Sequence, residues 1–142
     1  LAQQPAPRDL ASLDLEELAK IKVTSASRKP ESLGTVAASL HVLTRDDIRR
    51  SAATSLPELL RRVPGLQVAR ATSRDWAIGA RGFNNTSSDK LLVLVDGRAI
   101  YSPIFAGVFW DVQDVVLSDI ERIEVILGPG ASMWGSNAVN AV

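Results

Sequence analysis

Side chains able to do covalent chemistry are scarce in this chain. There are no cysteines and a single histidine, His41, so disulfide frameworks, Cys-ligated zinc and thiol nucleophiles are excluded. A Ser-His-Asp triad or a multi-His metal centre has little to build from. His41 sits inside the strand-like run Leu40-His41-Val42-Leu43, where a structural role suits it. Asp96 and Glu124 are the carboxylates a hydrolase would use, yet Asp96 is accounted for by a turn and neither has a partner acid or base at diagnostic spacing. Gly128-Pro129-Gly130 lacks the Lys and Ser/Thr of a phosphate loop. No catalytic residue, metal site or cofactor is expected. The chemistry of contact is richer: Tyr101, Phe105, Phe109 and Trp110 gather in a stretch that contains Pro and Gly and shows no clean period. Aromatics on a loop offer large contact area with few rotamers to freeze.

The totals narrow the class of partner. Lys+Arg and Asp+Glu are both 16, which removes the electrostatic argument for nucleic acid. The 142 residues suit one domain, and with 46% apolar residues the composition is not that of a disordered chain. No apolar run approaches the ~20 residues of a membrane helix. The opening Leu-Ala-Gln-Gln reads as the edge of a removed export signal.

The elements that would carry the aromatic loop follow from local pattern. The run Leu91-Leu92-Val93-Leu94-Val95 ends at Asp96-Gly97 and resumes as Arg98-Ala99-Ile100-Tyr101. That predicts a strand buried on both faces, a two-residue type I′ turn and a return strand. Thr44 with Asp47 reads as a capping box opening a helix over 45–50 that turns Ile48 inward. Ser55 with Glu58, and Pro57 in the first turn, predicts a second helix whose Leu56, Leu59, Leu60 and Val63 face the core and which Pro64-Gly65 ends. Ser118 with Glu121 predicts a third, shorter capped turn. Strands are expected at 21–27, 40–43, 66–68, 76–83 and 122–127, with Trp76, Ile78 and Ala80 on one face and Ile123, Val125 and Leu127 on another. Loops are expected at 28–34, 72–75, 84–89 and 102–112. Residues 1–12 read as a flexible tail and 13–18 as one or two helical turns. If residues 69–76 lie at one end of the domain, one intervening strand puts 84–89 at the other, and 101–110 return to the first.

Taken in order, several of these pieces form a recognisable string. It runs Leu59-Leu60-Arg61-Arg62-Val63-Pro64-Gly65-Leu66-Gln67-Val68, Ala80-Arg81-Gly82-Phe83, Leu92-Val93-Leu94-Val95-Asp96-Gly97-Arg98, Ile120-Glu121-Arg122-Ile123-Glu124-Val125-Ile126, Gly128-Pro129 and Trp134-Gly135-Ser136-Asn137-Ala138. Over residues 20–142 the chain resembles the plug domain of TonB-dependent outer-membrane receptors. The resemblance implies an α/β (α+β) fold: a small mixed β-sheet with short flanking helices and long apical loops. It implies a flexible periplasmic segment over 1–19, and a transmembrane β-barrel that follows the plug, so that the chain is cut at its barrel junction. Leu127 stands where the family often has Arg, and with it goes the ion pair such an Arg carries; Trp134 replaces the usual Tyr and keeps an aromatic.

The resemblance also assigns roles. Members sit in the cell outer membrane, occlude the barrel, bind a scarce ligand such as a ferric siderophore or cobalamin, and couple to the periplasmic domain of TonB for uptake. The TonB-contact segment is expected near the plug's start, at Ile21, Lys22, Val23, Thr24 and Ser25, where an extended peptide could add to a partner's sheet edge. The same residues could be an ordinary first strand, and the contact could lie within 13–20. Ligand contacts are expected at the apical end, from Arg74, Asp75, Trp76, Tyr101, Phe105, Phe109 and Trp110; Phe105, Phe109 and Trp110 could instead pack on the barrel wall or in the plug core. Arg81, with Glu121, Arg122 and Glu124, would hold plug to wall, a guanidinium pairing with barrel carboxylates. The alternative is a stand-alone periplasmic module of plug-like fold that binds or signals without transport.

Overall fold

A computed structural model describes residues 22–23, 31–32, 39–128 and 131–142. The expected tail over 1–19, the helical turns over 13–18, and Ile21, Thr24 and Ser25 lie outside the described residues. In chain order the elements are β1 (Lys22–Val23), β2 (Glu31–Ser32), β3 (Ser39–Thr44), α1 (Arg45–Arg50), α2 (Leu56–Leu60), β4 (Leu66–Arg70), β5 (Trp76–Ala80), β6 (Leu94–Val95) and β7 (Arg98–Ala99). Two 3-10 turns follow, Trp110–Val112 and Leu117–Asp119, then β8 (Arg122–Leu127) and α3 (Ala131–Trp134). This is the small α/β domain that the pattern implies. No described helix is long and apolar enough to cross a membrane.

The described strands pair two by two and antiparallel: β1 with β2, β3 with β8, β4 with β5, β6 with β7. Glu31 and Ser32 correct an expectation, since they lie in the stretch read as loop but pair with Val23 and Lys22. A strand of two residues leaves no alternation to read. Two of the pairs, β3–β8 and β6–β7, are joined into one mixed sheet through residues 140–142. On one side the Ile126 N–H donates to the Val142 carbonyl at 2.8 Å, the Val142 N–H to Ile126 at 3.0 Å, and the Gly128 N–H to Asn140 at 2.8 Å. On the other side the Leu92 N–H donates to Ala141 and the Asn140 N–H to Lys90, both at 3.1 Å. Ala141 thus bridges Leu127 antiparallel and Leu91 parallel.

The hairpin forms as the Asp-Gly pair demands. Asp96 (φ 49°) and Gly97 (φ 78°) are both left-handed, and Val95 pairs with Arg98. Its burial is uneven: Leu91 and Leu92, which meet residues 140–142, are buried, whereas Val93, Leu94 and Val95 are half-exposed.

Of the three capping boxes only the first is made. Thr44 caps α1 and bonds reciprocally with Asp47, and Ile48 is buried. At α2, Ser55 is the N-cap without a side-chain bond. Pro57, at the second helical position, has no N–H to offer it, and the Glu58 N–H at the third makes no bond to it. Glu58 reaches past it, and its Oε2 accepts from the Thr54 N–H and hydroxyl, both at 2.9 Å. The Ser55 hydroxyl is left buried without a partner. Near residue 118 the turn is 3-10 and starts earlier, with Val116 as N-cap. Ser118 lies inside it and its hydroxyl turns to Asp119 Oδ1. The apolar positions of α2 behave as their spacing predicts: Leu59, Leu60 and Val63 are buried, and they share one core with Ile78, Leu91, Val108, Trp110 and Val125.

Strand β5 is buried along its whole length, and the chain reverses after it at Arg81 (φ 57°) and Gly82 (φ 84°). The return passes directly over Gly79, where a Cβ would meet the Phe83 carbonyl oxygen at 2.3 Å. Residues 84–89 therefore fold back along β5, not at the end opposite to 69–76 as strand counting suggests. Residues 83–89 cover the outer edge of β5 without forming a strand. The Val108 N–H then donates to the Ser87 carbonyl at 2.8 Å. At Gly107 a Cβ would lie 1.9 Å from the same oxygen.

Two outcomes follow from these contacts. Burial alone would raise the pKa of Asp47, but the Thr44 hydroxyl and N–H and the Arg50 guanidinium outweigh it and hold the carboxyl below its ordinary range. Its stabilisation is then full above the unfolded carboxylate pKa of ~4 and is lost as pH falls through the lower folded value. Asp47→Ala should cost about 1–2 kcal/mol at neutral pH, and thermal melts at descending pH should show the two chains converging. Gly107→Ala should destabilise by about 2 kcal/mol or more, because its methyl meets backbone that cannot swing aside; a shifted denaturant midpoint measures it.

Candidate functional site

The aromatic loop owes its position to two closures. The Ser102 N–H donates to Gly107 at 2.7 Å and the Gly107 N–H to Ser102 at 3.2 Å. Residues 103–106 therefore form a tight tip, with Ala106 left-handed at φ 50°. Ile104 and Phe105 project from it, 83% and 65% exposed. Beyond the tip the loop is pinned at Val108, and Phe109 packs edge to face on Phe105 with ring centroids 5.1 Å apart. Trp110 turns inward and is buried.

A second loop faces this one across the end of β5. Its geometry is set by Thr72 and Asp75: the Thr72 hydroxyl donates to Asp75 Oδ2 at 2.7 Å and accepts the Asp75 N–H at 3.0 Å. The Ala71 N–H donates to the Asp75 carbonyl at 2.9 Å. Arg74 is exposed and reaches Asp111 Oδ2 at 3.5 Å, a contact that exposure makes weak. Trp76 is buried at the start of β5, with the guanidiniums of Arg61 and Arg70 each 5.3 Å from its ring centre.

A cavity of about 330 Å³ lies between the two loops, lined by Asp75, Trp76, Thr86, Ser87, Phe105, Gly107, Val108, Phe109, Trp110 and Asp111. Of the expected ligand contacts it gathers Asp75, Trp76, Phe105, Phe109 and Trp110. Arg74 stands at its edge through Asp111, and Tyr101 is half-buried outside the lining. Thr86, Ser87, Gly107, Val108 and Asp111 were not foreseen. Gly107 carried a signal, since glycine inside an aromatic loop often marks a close backbone approach. The fold-back that delivers 86 and 87 had none.

What holds residues 85–89 in place is polar. The Asn85 side-chain oxygen accepts the Ser88 N–H at 2.7 Å, and its amide donates to Asp89 Oδ1 at 2.7 Å. Lys90 Nζ pairs with Asp89 Oδ2 at 3.0 Å. The Asn85 amide, with Lys90, keeps the Asp89 carboxyl below its ordinary pKa. Ser88 is itself buried to 1% with φ 50°. Its hydroxyl accepts from Trp110 Nε1 at 2.9 Å and from the Ile78 N–H at 3.4 Å.

The other expected sites lie apart from the cavity. Arg122 Nε meets Glu124 Oε1 at 2.6 Å and its Nη1 lies 4.0 Å from Glu121, so these three pair among themselves at the start of β8. Arg81 is exposed, with Nη2 lying 3.5 Å from where a Gly128 Cβ would be, beyond the far end of β8. Lys22 and Val23 lie in the β1–β2 ladder. His41 is half-buried on β3 opposite Val125; burial pushes its pKa down, with partial relief from Asp47.

Comparison with known proteins agrees with this architecture. The family model described as TonB-dependent Receptor Plug Domain matches residues 32–142. The vitamin B12 transporter BtuB of Vibrio cholerae is 35% identical over 120 residues, which cover 84% of this chain and 19% of the transporter. BtuB of Vibrio vulnificus is 37% identical over 122 residues, covering the same shares. The crystal structure of the siderophore receptor PirA from Acinetobacter baumannii superposes with a TM-score of 0.55 at 26% identity, covering 72% of this chain and 16% of that one. The chain thus spans about a fifth of the length of the curated transporters it matches. With the family model spanning most of the chain and the fold agreeing, the chain belongs to the family of TonB-dependent receptor plug domains.

Proposed function

We propose that this chain is the gate of an outer-membrane uptake receptor. Residues 20–142 form the plug that occludes a transmembrane barrel, and residues 1–19 reach into the periplasm. The cavity between residues 71–75 and 103–111 receives part of the ligand, and the observation that carries this is its wall. Phe109 is 40% exposed and Phe105 65%, and they stand over a cavity whose rim holds Asp75 and Asp111. Exposed aromatics with a few convergent polar groups are the usual make-up of a small-molecule site. At about 330 Å³ the cavity takes only a portion of a bulky molecule, which suits a site completed by other loops of a receptor. Relatives named for vitamin B12 and for siderophores support cobalamin or a ferric siderophore as the ligand class.

Coupling to TonB is placed at 21–25. A segment that is to pair with a partner's sheet edge must offer backbone groups, and among the described residues Lys22 and Val23 pair with Ser32 and Glu31 in a short antiparallel ladder. A ladder of this length is easily exchanged for another. Arg81 and the group Glu121, Arg122 and Glu124 face the barrel wall from opposite ends of β8.

The direct test is the native protein in outer-membrane fractions. Its mass should be several times the 15.2 kDa of this chain, and cells should take up labelled cyanocobalamin or a ferric siderophore only when TonB is present. A mass near 15.2 kDa would replace transport with a stand-alone binding or signalling module. In the complete receptor, Phe109→Ala should weaken ligand binding roughly tenfold, as expected of an anchoring aromatic worth ~1–2 kcal/mol; a titration reads it. Val23→Pro removes a backbone N–H that strand addition could use and should abolish capture by the TonB periplasmic domain while leaving the melting temperature unchanged. Retained capture would move the contact to 13–20.

A further inference from the structure

Ser88 is an anomaly that the gate model does not use. It is a β-carbon-bearing residue at φ 50°, buried to 1%. The left-handed region costs an L residue roughly 1–2 kcal/mol and is usually given to Gly, Asn or Asp. Arg81, Asp96 and Ala106 are left-handed too, but all three are exposed; Ser88 is the buried one of the four, and its hydroxyl is bonded there. That hydroxyl accepts from two groups. One is the Ile78 N–H on the outer edge of β5 (3.4 Å) and the other is the Trp110 indole N–H (2.9 Å). Trp110 lines the cavity; Ile78 is fully buried in the core. A single oxygen therefore references the cavity wall to the core strand, independently of the loop that carries the tryptophan.

We propose that Ser88 is a positioning and specificity-determining residue for the ligand, acting through Trp110. An indole has one donor and no acceptor. With that donor held by Ser88, the Trp110 wall offers the cavity only its hydrocarbon surface and π face. The part of the ligand that meets it is then a flat or apolar group, and the polar parts of the ligand fall to the rim at Asp75 and Asp111. Without the hydroxyl, the buried N–H must find another acceptor. Acceptors within the same lining include the Thr86 and Ser87 hydroxyls and the carboxylates of Asp75 and Asp111, so the ring would turn toward one of them and the apolar wall would be lost. This rests on the proposal that the cavity is the ligand site.

The test uses the complete receptor labelled with fluorotryptophan, with Trp110→Phe identifying the Trp110 resonance, and cyanocobalamin and a ferric catecholate as probes. Two variants separate the hydroxyl from the backbone. Ser88→Ala removes the hydroxyl and keeps the strain; Ser88→Gly removes both. The expected result is that both shift the Trp110 resonance and weaken the bound probe by roughly tenfold, the loss of one buried hydrogen bond. Ser88→Gly should melt higher than Ser88→Ala yet bind no better. Wild-type affinity in Ser88→Gly would overturn the proposal, because a merely structural serine is rescued by a relaxed backbone. An unmoved Trp110 resonance in both variants would overturn it too. If Trp110→Phe and Phe109→Ala also bind as wild type, the cavity itself is not the ligand site and both proposals fall together. If those two lose affinity and the Ser88 variants do not, only the positioning role is lost.

Discussion

Asn140, Ala141 and Val142 hold the two halves of the sheet together. On one side stands β8, already paired with β3; on the other stands the apolar run that leads into the β6–β7 hairpin. Neither edge would be satisfied alone, and buried backbone groups must be paired. The tripeptide bonds to both, antiparallel to Ile126 and Gly128 and parallel to Lys90 and Leu92. Small residues suit the position: Ala138 and Ala141 are essentially fully buried, and larger side chains would have to find room in a close-packed interior. With this insertion in place, Leu91 and Leu92 become interior and the segment preceding them, 84–89, is drawn against β5. The cavity is built on that segment.

What could be read from the sequence was local. The capping box at Thr44 and Asp47, the Asp96-Gly97 turn and the apolar spacing of α2 each depend on residues a few positions apart, and each appears as expected. Where the local signal at Ser55 misled, a neighbour took part: Thr54 offered Glu58 two donors in place of the Ser55 N–H. The long-range features left no such trace. Trp110 and Ser88 are 22 residues apart and Arg74 and Asp111 are 37 apart, and no period or turn rule links positions at those distances. The ordered string of motifs carried the fold class because it is itself a long-range pattern.

The aromatic loop divides its labour by burial. Trp110, and Trp76 across the cavity, are interior and their polar or cationic contacts are satisfied, the first by Ser88, the second beneath Arg61 and Arg70. Phe105 and Phe109 have no polar group to satisfy and remain outside, stacked edge to face. A fixed inner wall with an accessible outer pair gives a surface whose base is buried and whose tip, residues 103–106, is closed by the Ser102–Gly107 backbone bonds and the Phe105–Phe109 contact.

The double pairing of residues 140–142 also has a mechanical consequence. Tension along that tripeptide loads the bonds on its two flanks together, in shear, so they must fail nearly at once. The seam therefore resists as a rivet would, and a pull on either flank is carried into the other.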